Sequence, residues 1–342
     1  MRRRRTALLT LAFGTMALGS LMRPAGAQGV ADFYRGRNVI LVIGFSAGGG
    51  YDLYARLLAR HLGKHIPGQP SIVPQNREGA GSERATLYLY NAAPKDGSVI
   101  GTFSRSMAVA PLLAGAPFDA TKLSWLGSIS SDVSVCMMWH TSPIKTFDDM
   151  LVQPFTVGGL GKDADPDIFA MVLRNMFGAK LKLVSGYPGT SDGTLAMERG
   201  EVNGMCGISW STAKARHADW MKGGKVNLPV QFGLRKEADI AGVPAVTDLA
   251  KGEEQARMLR LILAGQAMAR PYAAPPGIPD DRRQALIAAF NATMKDSEFL
   301  SDAEKLQADV SPVSAGEIER LLADVYATPK DIVTKAAKAI VN

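Results

Sequence analysis

The triple glycine Gly48-Gly49-Gly50 stands between an apolar run, "NVILVIG" (Asn38 to Gly44), and an amphipathic one, a setting in which a chain can hold a ligand. Glycines after a strand let the backbone approach a bound group, and the next helix's N-terminus offers free N–H groups and a positive dipole end. Such a seat suits a carboxylate or another anion; the alternative is a plain tight turn. Two nucleotide readings fail on single residues. A dinucleotide fingerprint needs a glycine where Leu53 stands, and a P-loop from Gly44 needs Lys-Ser/Thr where Gly50-Tyr51 follow. "GTSDG" (Gly189 to Gly193) fits the nucleophile-elbow string, but that chemistry needs a histidine late in the chain, and His217 is the only one after Ser191. His61 and His65 lie one helical turn apart without the glutamate of a zinc protease or a further ligand near in sequence, so they read as a solvated helix end.

Two cations carry more weight. Arg105 follows "GTFS" at the carboxyl end of an expected strand, where open α/β sheets bind ligands, and its planar fork suits a carboxylate. An ordinary ion pair is the competing role. Lys162, in "GGLGKDADP", sits on a similar loop, but Asp163 and Asp165 beside it favour a local salt bridge.

The elements that must position these residues alternate. "NVILVIG" reads as a buried strand, followed by a helix with Tyr54, Leu57, Leu58 and Leu62 on one face. "SIVPQN" is a second strand and Ser82 to Ala93 a helix. "SVIGTFS" and "LSWLGSI" are strands either side of a helix from Ser106 to Leu113. This alternation predicts parallel βαβ units covered on both faces. A second series begins near "SVCMMWH" (Ser134 to His140) and continues through "FTVGG", "KLKLVSGY", "VNGMCGIS" and "VNLPVQFGL". The helix after "FTVGG" is expected to take Asp165 as N-cap and Pro166 first, burying Ile168, Phe169, Val172, Leu173 and Met176. From about Pro279 the chain is mostly helical.

The N-terminus reads as a secretory signal: Arg2 to Arg5, an apolar stretch from Ala7 to Met22, and small residues Ala25-Gly26-Ala27 before Gln28. Arg2 to Arg5 and Arg23 supply five of the formal +7, with no acidic residue in that segment, so cleavage leaves +2 and no nucleic-acid footprint. About 315 residues then remain, more than one core usually serves, so two domains are expected. Cys136 and Cys206 lie in strand-like segments and either pair in an oxidising compartment or stay as buried thiols.

The order of these segments resembles the solute-binding receptors of tripartite tricarboxylate transporters, the Bug or TctC-type family. The resemblance rests on "FYRGRNVILVIGFSAGGGYDLYARLLARHL", "PQNREGAGS", "AAPKDGSVIGTFS", "YPGTSDGTLAMERGEVNGM" and "YAAPPGIPDDRRQALIAAFN", in that order along the chain. It implies an α/β fold: a two-lobed periplasmic-binding-protein clamshell, each lobe a mostly parallel sheet flanked by helices. Residues 28–131 and 255–342 would form lobe 1, and 132–254 lobe 2. It further implies a monomeric receptor that closes on a small organic carboxylate and delivers it to a membrane permease, with no cofactor, metal, nucleic acid or catalysis. Carried onto this chain, the cleft would be lined by Ser46, Ala47, Gly49, Gly50 and Asp52, by Gly81 and Ser82, and by Ser104; Tyr51 and Arg105, which depart from the family's pattern, are added as candidates on their own chemistry. From lobe 2 would come Gly159, Leu160, Gly161, Tyr187 and Gly189. Asp52 is favoured as a helix cap.

Three departures bear on specificity. Tyr51 replaces a small Thr, Arg105 a small polar residue, and "GKDADP" a Ser/Thr-rich turn whose aspartates disfavour a second anionic group. The rivals are an exported enzyme using the same cleft, which lacks a nucleophile–base pair, and a binding protein feeding a membrane sensor.

Overall fold

The computed structural model describes residues 25–341, so the leader residues 1–24 named above lie outside the described residues. Twelve strands follow in chain order: β1 (Asn38–Ile43), β2 (Ser71–Asn76), β3 (Val99–Thr102), β4 (Ser124–Ser128), β5 (Ser134–Trp139), β6 (Phe155–Gly158), β7 (Leu181–Val184), β8 (Gly204–Ser209), β9 (Val226–Asn227), β10 (Gln231–Phe232), β11 (Pro271–Ala274) and β12 (Val313–Ser314). They form two six-stranded sheets. The first has the order β12-β4-β11-β3-β1-β2, and the second β10-β5-β8-β6-β7 with β9 paired to β5.

Within each sheet, strands are parallel where strand and helix alternate. β1 runs parallel to β2 and β3, with Ile43 opposite Asn76 and Thr102. β6 likewise runs parallel to β7 and β8. β1 is nearly all apolar because helices cover both faces; Val39, Leu41, Val42 and Ile43 are buried. Antiparallel pairs appear where the chain passes between sheets: β11 returns from the second sheet to lie between β3 and β4, and β5 lies beside β8. Cys136 and Cys206, on β5 and β8, form a disulfide with Cα atoms 3.8 Å apart, at the register shift between Val135 and Met137.

The helix Gly50–Leu62 buries Leu53, Tyr54, Leu57, Leu58 and Leu62, and sets Asp52 in its first turn and Arg60 in its last, in accord with its dipole. The segment expected as one helix from Ser106 is a 3₁₀ turn, Arg105–Ala108, followed by a short helix, Ala110–Leu113. In the helix Asp165–Phe177 the N-cap is Ala164 and Pro166 lies in the first turn. The capping role expected of Asp165 is therefore a correction: its carboxylate is taken by a long-range partner described below. A continuous buried cluster runs from Phe103, just after β3, and Trp125 on β4 to Phe169, on the helix Asp165–Phe177, and Phe232 on β10. No described helix is long and apolar enough to cross a membrane.

Candidate functional site

The carboxyl ends of the parallel strands in the two sheets face each other, and the loops leaving them enclose a small cavity, the location where open α/β sheets take ligands. From the first sheet, β1 delivers Phe45, Gly49, Gly50 and Tyr51, and β3 delivers Ser104 and Arg105. From the second, β6 delivers Leu160, Ala164 and Asp165, and β8 delivers Ser209 and Thr212. Arg270, just before β11, closes the ring. The cavity measures about 30 Å³, so the lobes are drawn together.

Two guanidinium groups dominate it. Arg105 is 2 % exposed. Its Nε donates to Asp165 Oδ2 across the cleft at 2.6 Å, and its Nη2 to Ser134 Oγ at 2.6 Å and Ser209 Oγ at 3.1 Å. Burial works against its charge, but the field of Asp165 and its neighbours outweighs that and raises the Arg105 pKa. Arg270 is 1 % exposed. Its Nη1 donates to Ser209 Oγ at 3.0 Å, and its Nη2 to Ser211 Oγ at 3.1 Å and Thr212 Oγ1 at 2.9 Å. Its Cζ lies 5.1 Å from the Tyr51 ring centre and 4.8 Å from that of Tyr54, within cation–π range. Arg105 Nη1 and Arg270 Nε have no acceptor. Both are donors left over on residues that line one cavity, and a buried donor without a partner costs about 1–3 kcal/mol.

Tyr51 links the two cations. Its Oη accepts from Arg105 N at 2.9 Å, and its ring stacks on Phe45 with centres 4.7 Å apart. Burial pushes its hydroxyl pKa up, so it stays a neutral hydrogen-bonding group.

Of the residues that the sequence nominated, Gly49, Gly50, Tyr51, Ser104, Arg105 and Leu160 line the cavity. Others join the lobes around it. Ser46 donates from Oγ to Asp192 at 2.6 Å and from N to Pro188 O at 3.3 Å, while Ala47 O accepts from Ser191 Oγ at 3.2 Å. Gly81 N donates to Leu160 O at 3.2 Å across the cleft. Ser82 Oγ accepts from Ser104 N at 2.7 Å and so fixes the residue before Arg105. Gly189 is the N-cap of the helix Thr190–Glu198, packed against Ser46. Gly159 O accepts from Gly186 N and Tyr187 N, both at 3.0 Å, and Gly161 N donates to Asp167 Oδ2 at 2.9 Å. These bonds shape the second lobe's loop. Asp52 points away from the cavity: it accepts from Gly48 N at 2.9 Å and pairs with Arg56 at 2.9 Å. Those partners outweigh burial and lower its pKa.

Arg270, Ser209, Thr212 and Phe45 were not found from the sequence. Arg270 had a faint signal, a cation directly before an apolar strand in "MARPYAA". The remaining candidates have structural partners. His61 and His65 meet Asp302 and Asp296 at 3.1 and 2.8 Å, and Lys162 lies 3.7 Å from Asp163. The Ser191 hydroxyl donates to Ala47 O at 3.2 Å and His217 stacks on Trp220, so among the described residues no general base is hydrogen-bonded to the serine of "GTSDG".

The model of the tripartite tricarboxylate transporter family receptor matches residues 54–337. The chain belongs to that family. Its members are solute-binding receptors, not enzymes. The receptor is 25 % identical over 338 residues to a Cupriavidus necator protein described as the UPF0065 protein in gbd 5'region, covering 96 % of each chain. Its fold matches the periplasmic binding protein BugD with a TM-score of 0.69 at 20 % identity, covering 89 % of this chain and 97 % of that one. It also matches MatC from Rhodopseudomonas palustris, solved with bound malate, with a TM-score of 0.69 at 19 % identity and coverage of 87 % and 99 %. The two-lobed α/β architecture expected from the sequence is thus the architecture of this receptor.

Proposed function

We propose that this receptor is exported, cleaved near Ala27, and captures a small organic carboxylate in the periplasm by lobe closure, delivering it to a membrane permease of the tripartite type. In this reading residues 28–131 with 255–342 form one lobe and 132–254 the other. The observation that carries it is the pair of unpartnered guanidinium donors, Arg105 Nη1 and Arg270 Nε, on residues lining one closed cavity. A carboxylate has the charge and the paired acceptor oxygens to answer both. The malate bound by MatC, in the same fold, supports a carboxylate as the class.

Closure follows from where the contacts lie. Arg105 meets Asp165, Ser134 and Ser209, and Arg270 meets Ser209, Ser211 and Thr212, so each cation bridges the two sheets. A carboxylate between them completes both guanidinium groups only when the lobes are together, and that difference in affinity shifts the receptor to its closed form. The test is a thermal-shift and calorimetric screen of the mature chain against mono- and dicarboxylates. A true ligand at about 100 times Kd adds roughly 2.7 kcal/mol of stability. Arg105→Ala should weaken that ligand at least tenfold, and no stabilisation by any carboxylate refutes the reading.

A further inference from the structure

Asp165 is the feature of the cleft that simple anion capture does not use. Its Oδ2 accepts from Arg105 Nε at 2.6 Å and Gln266 Nε2 at 3.1 Å, so an internal carboxylate already occupies one edge of the cation that should hold the ligand. Its Oδ1 accepts no hydrogen bond among the described residues, and Asp165 lines the cavity. The residues around the cavity therefore carry two buried, unpartnered donors, Arg105 Nη1 and Arg270 Nε, and one Asp165 oxygen that accepts no hydrogen bond among the described residues.

The charges make the pattern selective. Arg105 and Arg270 are the cations lining the cavity; Asp165 pairs with the first, and Asp132, at 3.8 Å, lies nearest the second. The buried groups are balanced before any ligand enters. One ligand carboxylate can be answered by the two leftover N–H groups. A second would enter a closed, poorly solvated space with no further cation and with Asp165 beside it, and burying an unpaired charge there is strongly unfavourable. A hydroxyl or ammonium on the ligand would instead donate to Asp165.

We infer that Asp165 is a specificity-determining residue that restricts this receptor to short acids carrying one carboxylate and a hydrogen-bond donor, and rejects dicarboxylates. This rests on the carboxylate reading above and narrows it.

The experiment is calorimetric titration of the mature receptor with two matched sets: propionate, lactate, alanine and malonate, then butyrate, 3-hydroxybutyrate, 4-aminobutyrate and succinate. In the wild type a hydroxy or amino member should bind at least tenfold more tightly than the dicarboxylate of equal length. Asp165→Asn keeps an acceptor but removes the charge; it should tighten malonate or succinate at least tenfold and weaken the amino member. Asp165→Glu, which restores the charge, should keep dicarboxylates excluded, an outcome that a merely structural role would not give. If a dicarboxylate binds the wild type as tightly as its hydroxy and amino counterparts, or if Asp165→Asn leaves the ratios unchanged, the assignment to Asp165 falls and carboxylate capture stands. If no member of either set binds at millimolar concentration, carboxylate capture and this inference fall together.

Discussion

Replacing Asp163 by Asn should stabilise this receptor at neutral pH and leave it unchanged in acid. The Asp163 side chain is wholly buried, and neither carboxylate oxygen has a hydrogen-bond partner. Lys162 Nζ, 3.7 Å away on a largely exposed side chain, is too distant to donate to it. Burial pushes the Asp163 pKa up to about 6; Lys162 opposes this, while Glu83 across the cleft and Asp167 add to it. Below about pH 4 the group is protonated both folded and unfolded and carries no penalty. As pH rises through about 6 the folded protein must bury a bare carboxylate, and that stability is lost. A shift of about two pKa units corresponds to roughly 3 kcal/mol. At about 2.1 cal/mol/K of unfolding entropy per residue, this is about 4 °C in Tm for a chain of this length. The backbone carbonyl of Asp163, which accepts from Ser106 Oγ, is unaffected by the substitution. Thermal melts of wild type and Asp163→Asn at half-unit steps from pH 4 to 8 should show curves that nearly coincide at pH 4, separate between about pH 4 and 6, and run at a constant gap above that. A variant equally or less stable than wild type at pH 7.5, or a gap independent of pH, would refute the reasoning.

Three further outcomes are expected. Arg270→Met leaves Asp132 and three hydroxyls without their cation and should lower ligand affinity roughly 30-fold or more, read by calorimetry. Gly161→Ala should weaken ligand binding at least tenfold while the protein still folds. Gly161 has φ +144°, and a Cβ there would meet Gly81 N and lie 2.7 Å from Ala80 C, backbone of the opposite lobe, so it acts as a wedge against closure; unchanged affinity would show that the lobes close elsewhere. Removing the Cys136–Cys206 disulfide as a double serine variant should cost about 4 kcal/mol for a 70-residue loop, near 6 °C in Tm, measured with the wild type under reductant as control.

Much of the fold was legible because its signals are local. The apolar run at Asn38–Ile43, the four buried positions from Tyr54 to Leu62, and the alternation of strands with helices each depend on neighbours in sequence, and all appear in the structure. The antiparallel insertion of β11 between β3 and β4 was not legible, since it pairs residues more than 140 positions apart. The site divides in the same way. Gly49, Gly50, Tyr51, Ser104 and Arg105 line the cavity and follow strands that the pattern identifies. Arg270 also lines the cavity but was not legible, because a cation directly before an apolar strand is read equally well as exposed.

Asp165 shows the division at a single residue. Read locally, an aspartate before proline at a helix start is a cap; folded, it is the counter-ion of Arg105, 60 positions away. Sequence alone determined the alternating strand–helix class and the glycine-rich turn, since these depend on side-chain periodicity and backbone freedom. Tertiary structure decided whether Cys136 and Cys206 join, which cations are buried, and which acid neutralises which base. Those depend on distances across the cleft, and charge interactions in a buried space are set by distance and solvation, neither of which a linear string encodes.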